Sequence, residues 1–248
     1  MADPLHQFVI QPWIPFEIGS LNLSYTNSAF WMTVGVVGSL LLFSAASGKQ
    51  SMVPGRLQMF GELFYGFVAS MIRTNLGPKG QEFFGFVFTV FVLVLAGNLL
   101  GLLPYAFTYT SHLAVTGTLA LMIFCIVIGL GLARHGLKFF SLFCPAGTPW
   151  WITPLIIPIE IISFISRPVT LSLRLFINMM VGHLMLKVIA GFSVMMIGAG
   201  LGGFLGALFP MAFNVIMIGF ETFIALIQAY VFALLTCIYL KDTIELHH

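Results

Sequence analysis

Three uncharged apolar runs of about twenty residues set the terms for this chain: Ala29 to Ser47, Phe83 to Tyr105 and Leu113 to Leu132. About 20 apolar residues is the length a helix needs to cross the ~30 Å hydrocarbon core of a bilayer. Inside that layer each backbone N–H and C=O must be satisfied within its own segment, so such runs fold as helices. Two longer apolar segments follow, about Pro154 to Gly191 and about Gly206 to Leu240. Only 7% of the 248 residues are charged, against about 25% in soluble domains, so a water-facing surface cannot be built from this chain. The expected fold class is all-α: a polytopic membrane protein with about five membrane-embedded helices.

The expected organisation is one membrane domain over 1–248. It divides into an external N-terminal arm (1–28), a first span (29–48), an amphipathic interfacial helix (53–76), a two-helix membrane hairpin (83–132) and a long C-terminal hairpin (154–243). The segment 53–76 mixes Arg56, Glu62 and Arg73 with Phe60, Leu63, Phe64, Phe67 and Met71, a pattern that suits the membrane surface better than a crossing. The arm carries Asp3 and Glu17 and lacks a basic start, so it reads neither as a cleaved signal nor as a transit peptide. A Pro/Gly loop at Pro145 to Pro149 precedes the C-terminal hairpin, and the run Gly198 to Gly203 marks its turn.

Basic residues set the orientation. Lys49 and Arg56 flank the first span, Arg134 and Lys138 the third, and Lys241 returns to the same side. The N-terminus is therefore expected outside and the C-terminus in the cytoplasm, with five crossings. A net charge of +2 gives no reason to expect nucleic acid. Cys125, Cys144 and Cys237 have no redox or metal-ligand spacing, and packing is their expected role. No inverted repeat is visible, which weighs against a secondary transporter.

The penultimate segment holds an unusual polar series: Glu160, Ser163, Arg167, Thr170, Arg174 and Asn178. Its steps of 3, 4, 3, 4 and 4 average 3.6, one face of a helix. Pro168 interrupts it, and a bend is expected there. A charge at mid-bilayer depth costs at least ~2.5–3.5 kcal/mol, and the Arg174 guanidinium cannot shed its proton. The last segment carries Asn214, Glu221, Gln228, Tyr239 and Asp242 close to one face. In an antiparallel hairpin centred near residue 201, facing residues share an index sum. Arg174 with Gln228, Glu160 with Asp242 and Ser163 with Tyr239 share 402, and His183 with Glu221 gives 404.

On one helix Glu160 lies about 21 Å before Arg174, and His183 roughly 13 Å after it. Titratable groups thus flank the arginine toward opposite sides of the membrane. A fixed cation midway blocks direct proton passage. Two half-paths so divided require a moving carrier, and a carboxylate on another subunit suits that part. His183 is rotated about 180° from Arg174 and is expected to face the rest of the bundle.

The stretch from Arg167 through Arg174 and Asn178 to Gly182-His183 resembles the hallmark of subunit a of the F-type ATP synthase. So do Glu221-Thr-Phe-Ile-Ala-Leu-Ile-Gln228 and Gly97-Asn98-Leu-Leu-Gly-Leu-Leu-Pro104. The resemblance spans nearly the whole chain. It implies an essential Arg174 facing a ring of c subunits, with Gln228 its companion. It implies a cytoplasmic half-channel at Glu160, with Ser163, Arg167, Thr170, Tyr239 and Asp242, and an outer one at His183 and Glu221, with Asn214. It further implies strongly tilted final helices, peripheral-stalk b subunits and the rest of the complex as partners, no cofactor or metal, and protons as the transported ion. Histidine first and acid second is the arrangement of mitochondrial members. A bacterial inner membrane is the expected location, with the mitochondrial inner membrane as alternative. Ile177 stands where a small residue is common in the family, a departure that bears on helix approach there.

Two other classes fit parts of the pattern. A stand-alone ion channel or secondary transporter would use Arg174 to bind an anion. A membrane scaffold would bury the polar stripe as a seam between helices.

Overall fold

The computed structural model describes residues 9–15, 17–18, 21–22, 24–48, 51, 53–103, 106–136, 138–139, 151–198 and 200–244. Lys49, Cys144, the Pro145 to Pro149 loop and the terminal His247-His248 lie outside them. The protein is all-α. Its helices are α1 (Asn27–Ser47), α2 (Arg56–Leu76), α3 (Phe84–Gly101), α4 (Leu113–His135), α5 (Thr153–Ile197) and α6 (Leu201–Ile244). All but α2 are long and apolar enough to cross a membrane. The N-terminal arm adds something its polar sequence did not signal. Four short strands pair there as two antiparallel hairpins, β1 (Pro12–Ile14) with β4 (Tyr25–Thr26) and β2 (Glu17–Ile18) with β3 (Leu21–Asn22).

Local chemistry explains where the helices stop. Gly77 adopts φ +67°, which closes α2, and Pro78 then opens a 3-10 turn over Pro78–Phe83. The glycine run expected to join the last helices does so, with only its second half taken into α6. α5 continues to Ile197, and Gly202 and Gly203 lie within α6. The reversal turns on Gly200 at φ +88°. Pro158 and Pro168 sit inside α5 and Pro210 inside α6, each within a continuous helix.

The chain forms two compact units, with four of the five boundaries between them inside helices. The first comprises the N-terminal segment to Leu42, Val92–His112 and Leu175–Ala229. Val94, Leu95, Tyr109, Leu175, Met179, Ala225 and Ala229 form its core. Tyr109 lies in a short 3-10 turn between α3 and α4. Burial pushes its phenol up to about 12, so it stays neutral and donates to Leu93 O at 3.4 Å.

The second unit comprises Phe43–Phe91, Leu113–Arg174 and Tyr230 onward. Val68, Ile72, Val87, Ile123, Val127, Leu171, Phe232 and Leu240 form its core. A web of rings joins α1, α2, α3 and α6. Phe43 meets Phe64 and Phe88, and Phe67 meets Phe91 and Tyr230, with centroids 5.1–6.4 Å apart.

Candidate functional site

In the first unit, α5 and α6 bring His183 and Glu221 together. His183 Nδ1 lies 3.5 Å from Glu221 Oε1; the Glu221 side chain is buried and that of His183 is 11% exposed. That separation is too long for a good hydrogen bond. Both Glu221 oxygens are buried without a hydrogen-bond partner among the described residues. The carboxyl has room because position 182 is glycine: a Cβ there would lie 2.5 Å from Glu221 Oε1. A cavity of about 260 Å³ opens beside the carboxyl, lined by Asn178, Gly182, Met185, Met217 and Phe220 among others.

The other ring nitrogen has a partner that sequence reasoning missed. His183 Nε2 lies 2.9 Å from Thr108 Oγ1. Thr108 belongs to the α3–α4 connection and reaches the histidine because α3 has a notch. A Cβ at Gly97 would meet the Tyr109 hydroxyl at 2.5 Å, and one at Gly101 would meet Thr108 Cγ2 at 2.6 Å. The available signal was the pair Gly97 and Gly101, four residues apart on one helical face, a spacing that permits close approach within membranes. Asn98, between them, is fully buried and donates from Nδ2 to Ala225 O of α6 at 3.4 Å.

Asn178 Nδ2 donates to Gln228 Oε1 at 2.9 Å. The expected register put Gln228 opposite Arg174; its recorded bond is to Asn178, one turn further on. Asn214 is half-buried, and its Oδ1 has no hydrogen-bond partner among the described residues.

In the second unit, Arg167 Nη1 donates to Asp242 Oδ2 at 2.6 Å. The guanidinium also lies 5.6 Å from the centroid of the Tyr239 ring and 5.9 Å from that of Phe164. Asp242 was expected opposite Glu160 and Tyr239 opposite Ser163. Their contacts run instead to Arg167, nearer the middle of α5. The observed pairs 183/221, 178/228 and 167/242 do not share one index sum. Side chains of different reach bridge positions offset along their helices, so side-chain bonds do not follow one sum. Glu160 is half-buried and forms no hydrogen bond or ion pair among the described residues.

The polar series on α5 is not one buried seam. Arg167 and Asn178 turn to α6, while Ser163, Thr170 and Arg174 are exposed. Thr170 satisfies its hydroxyl on the carbonyls of Ser166 and Arg167 in its own helix. Among the described residues Arg174 makes no hydrogen bond or ion pair. Its exposed neighbours along α5 are Thr170 and the apolar Val169, Leu173, Ile177 and Val181.

Five apolar helices with ionisable groups buried among them define a polytopic membrane protein that keeps polar chemistry inside the bilayer layer. The profile of the family described as ATP synthase A chain matches residues 28–241. The ATP synthase subunit a of Hyphomonas neptunium is 49% identical, covering 98% of this chain and 96% of that one. That of Rhodospirillum rubrum is 47% identical over 100% of both chains. That of Chelativorans sp. is 48% identical over 100% of this chain and 99% of its own. The chain belongs to the ATP synthase A chain family.

Proposed function

We propose that this chain is the proton-translocating stator subunit in the membrane sector of an F-type ATP synthase. It performs no covalent chemistry. Protons use two offset half-paths and pass between them on carboxylates of a rotating c-subunit ring, so that proton flow drives rotation. The outer half-path uses His183, Glu221 and Asn214. The cytoplasmic one uses Glu160, Ser163, Arg167, Thr170, Tyr239 and Asp242. Arg174, Asn178 and Gln228 complete the proton-translocation set, and no cofactor or metal takes part.

The observation that carries this is Arg174 itself. It is a permanent cation exposed on α5 beside Val169, Thr170 and Leu173, with no hydrogen bond or ion pair among the described residues. An unpaired guanidinium at membrane depth is expensive, and a carboxylate supplied by a partner would relieve it with a bidentate pair. Along α5 it lies seven residues after Arg167 and nine before His183, about 10 Å and 13 Å on a helical rise. Peripheral-stalk b subunits and the rest of the complex complete the assembly. The chain sits in a bacterial inner membrane with its N-terminus outside and its C-terminus in the cytoplasm.

Arg174→Ala tests this in membrane vesicles carrying the intact complex. Assembly should persist while ATP synthesis driven by a proton gradient is lost. Normal coupled synthesis by that variant would overturn the proposal.

A further inference from the structure

We infer that Thr108 is a positioning residue that fixes the tautomer of His183, so that the free lone pair of the imidazole faces Glu221. This rests on the outer half-path proposed above and adds a residue to it.

A threonine hydroxyl has one proton to give. Thr108 Oγ1 lies 3.2 Å from the carbonyl oxygen of Gly101 and 2.9 Å from His183 Nε2. The carbonyl can only accept. It belongs to the last residue of α3, Gly101 is buried, and among the described residues no backbone N–H donates to that oxygen. Leaving that oxygen without a donor is unfavourable, so the Thr108 proton goes to Gly101. Thr108 Oγ1 then offers only lone pairs to the histidine. His183 Nε2 must therefore carry hydrogen and donate, and in the neutral ring Nδ1 is left unprotonated. Nδ1 is the nitrogen 3.5 Å from Glu221 Oε1.

The threonine itself is held in place. Ser111 Oγ donates to Thr108 O at 2.6 Å, and the glycine notch on α3 admits the turn. The consequence for proton transfer is direct. When Glu221 is protonated, its O–H bond breaks as an N–H bond forms at His183 Nδ1, leaving a carboxylate and an imidazolium. Nε2–H keeps its bond to Thr108 throughout, so the ring need not turn over between protonation states. With the opposite tautomer, Nδ1 already carries hydrogen and cannot accept the Glu221 proton.

The test uses the intact complex reconstituted in vesicles, with Thr108→Ser, Thr108→Val and Glu221→Gln. Thr108→Ser should match the parent. Thr108→Val should slow gradient-driven ATP synthesis by at least about tenfold, the order expected when a proton acceptor presents the wrong nitrogen. A Thr108→Val complex with parental rates, beside a Glu221→Gln complex that is impaired, overturns the role of Thr108 alone. Parental rates in both overturn the outer half-path and this inference with it.

Should Thr108→Val fail to assemble, nitrogen-15 magnetic resonance on the histidine-labelled parent complex decides the matter. The His183 signals, assigned by their loss in His183→Gln, should show a protonated Nε2 and an unprotonated Nδ1. The reverse pattern overturns the inference.

Discussion

Asn178 and Gln228 share a hydrogen bond of 2.9 Å that anchors one end of a nearly fully buried amide. The other end, Gln228 Nε2, is buried without a hydrogen-bond partner among the described residues. Asn178→Leu would leave the carbonyl end unsatisfied as well, at a cost of about 1–3 kcal/mol. The expected outcome is a several-fold loss in gradient-driven ATP synthesis and earlier thermal release of the subunit from the complex. Parental values for both would show that Gln228 needs no anchor.

Arg167 and Asp242 form an ion pair of 2.6 Å, with side chains about one-third exposed or less. Removing one partner leaves a poorly solvated charge behind. Arg167→Met and Asp242→Asn should each lower the amount of assembled subunit. The double variant should recover part of the loss, with a coupling of about 1–2 kcal/mol. Strict additivity in a double-mutant cycle would show that the pair makes no net contribution.

Gly182 and Gly191 offer a contrast within one helix. Alanine in a helix interior is ordinarily better than glycine by about 0.5–1 kcal/mol. At position 191 nothing lies within 4 Å of an added Cβ, whereas at 182 it would strike the Glu221 carboxyl. Gly191→Ala should therefore leave synthesis unchanged. Gly182→Ala should displace the carboxyl from His183 and slow synthesis several-fold without loss of assembly. Equal rates for the two variants would rule out close packing at Gly182 as functional.

Arg134 and Glu82 also pair, at 2.5 Å, with Arg134 stacked 5.1 Å from the Phe83 ring centroid. Glu82 is largely exposed, and exposed pairs contribute roughly 0–1 kcal/mol. Glu82→Gln should change neither assembly nor synthesis beyond about twofold, a difference of ~0.4 kcal/mol. A larger loss in quantitative assembly assays would mean that this pair meets a partner subunit.

The all-α membrane fold was legible because apolar run length and scarcity of charge leave no other way to satisfy the backbone. The pairing of His183 with Glu221 was legible too, since a helical hairpin near residue 201 brings those positions together in almost any close register. The remaining pairs were not. Gln228 bonds Asn178 and Asp242 bonds Arg167, because a side chain reaches whichever donor or acceptor is in range and an index sum does not encode that reach. The strand pairs of the arm were hidden in segments of two or three residues, too short to show a period.

Thr108 is the clearest case of what sequence leaves out. Seventy-five positions separate it from His183, and a threonine in a short loop has no pattern to mark it. Sequence alone determined that this chain lives in a membrane, that α5 carries a charged stripe, and that Arg174 sits within an apolar run. Hydrophobic periodicity and the energetic penalty on membrane charges are local properties, readable residue by residue. Which polar atoms meet, and which nitrogen of His183 faces Glu221, was decided only by tertiary structure. Hydrogen bonds depend on the position and direction of each donor and acceptor, which side-chain reach and the glycine notch at Gly97 and Gly101 set.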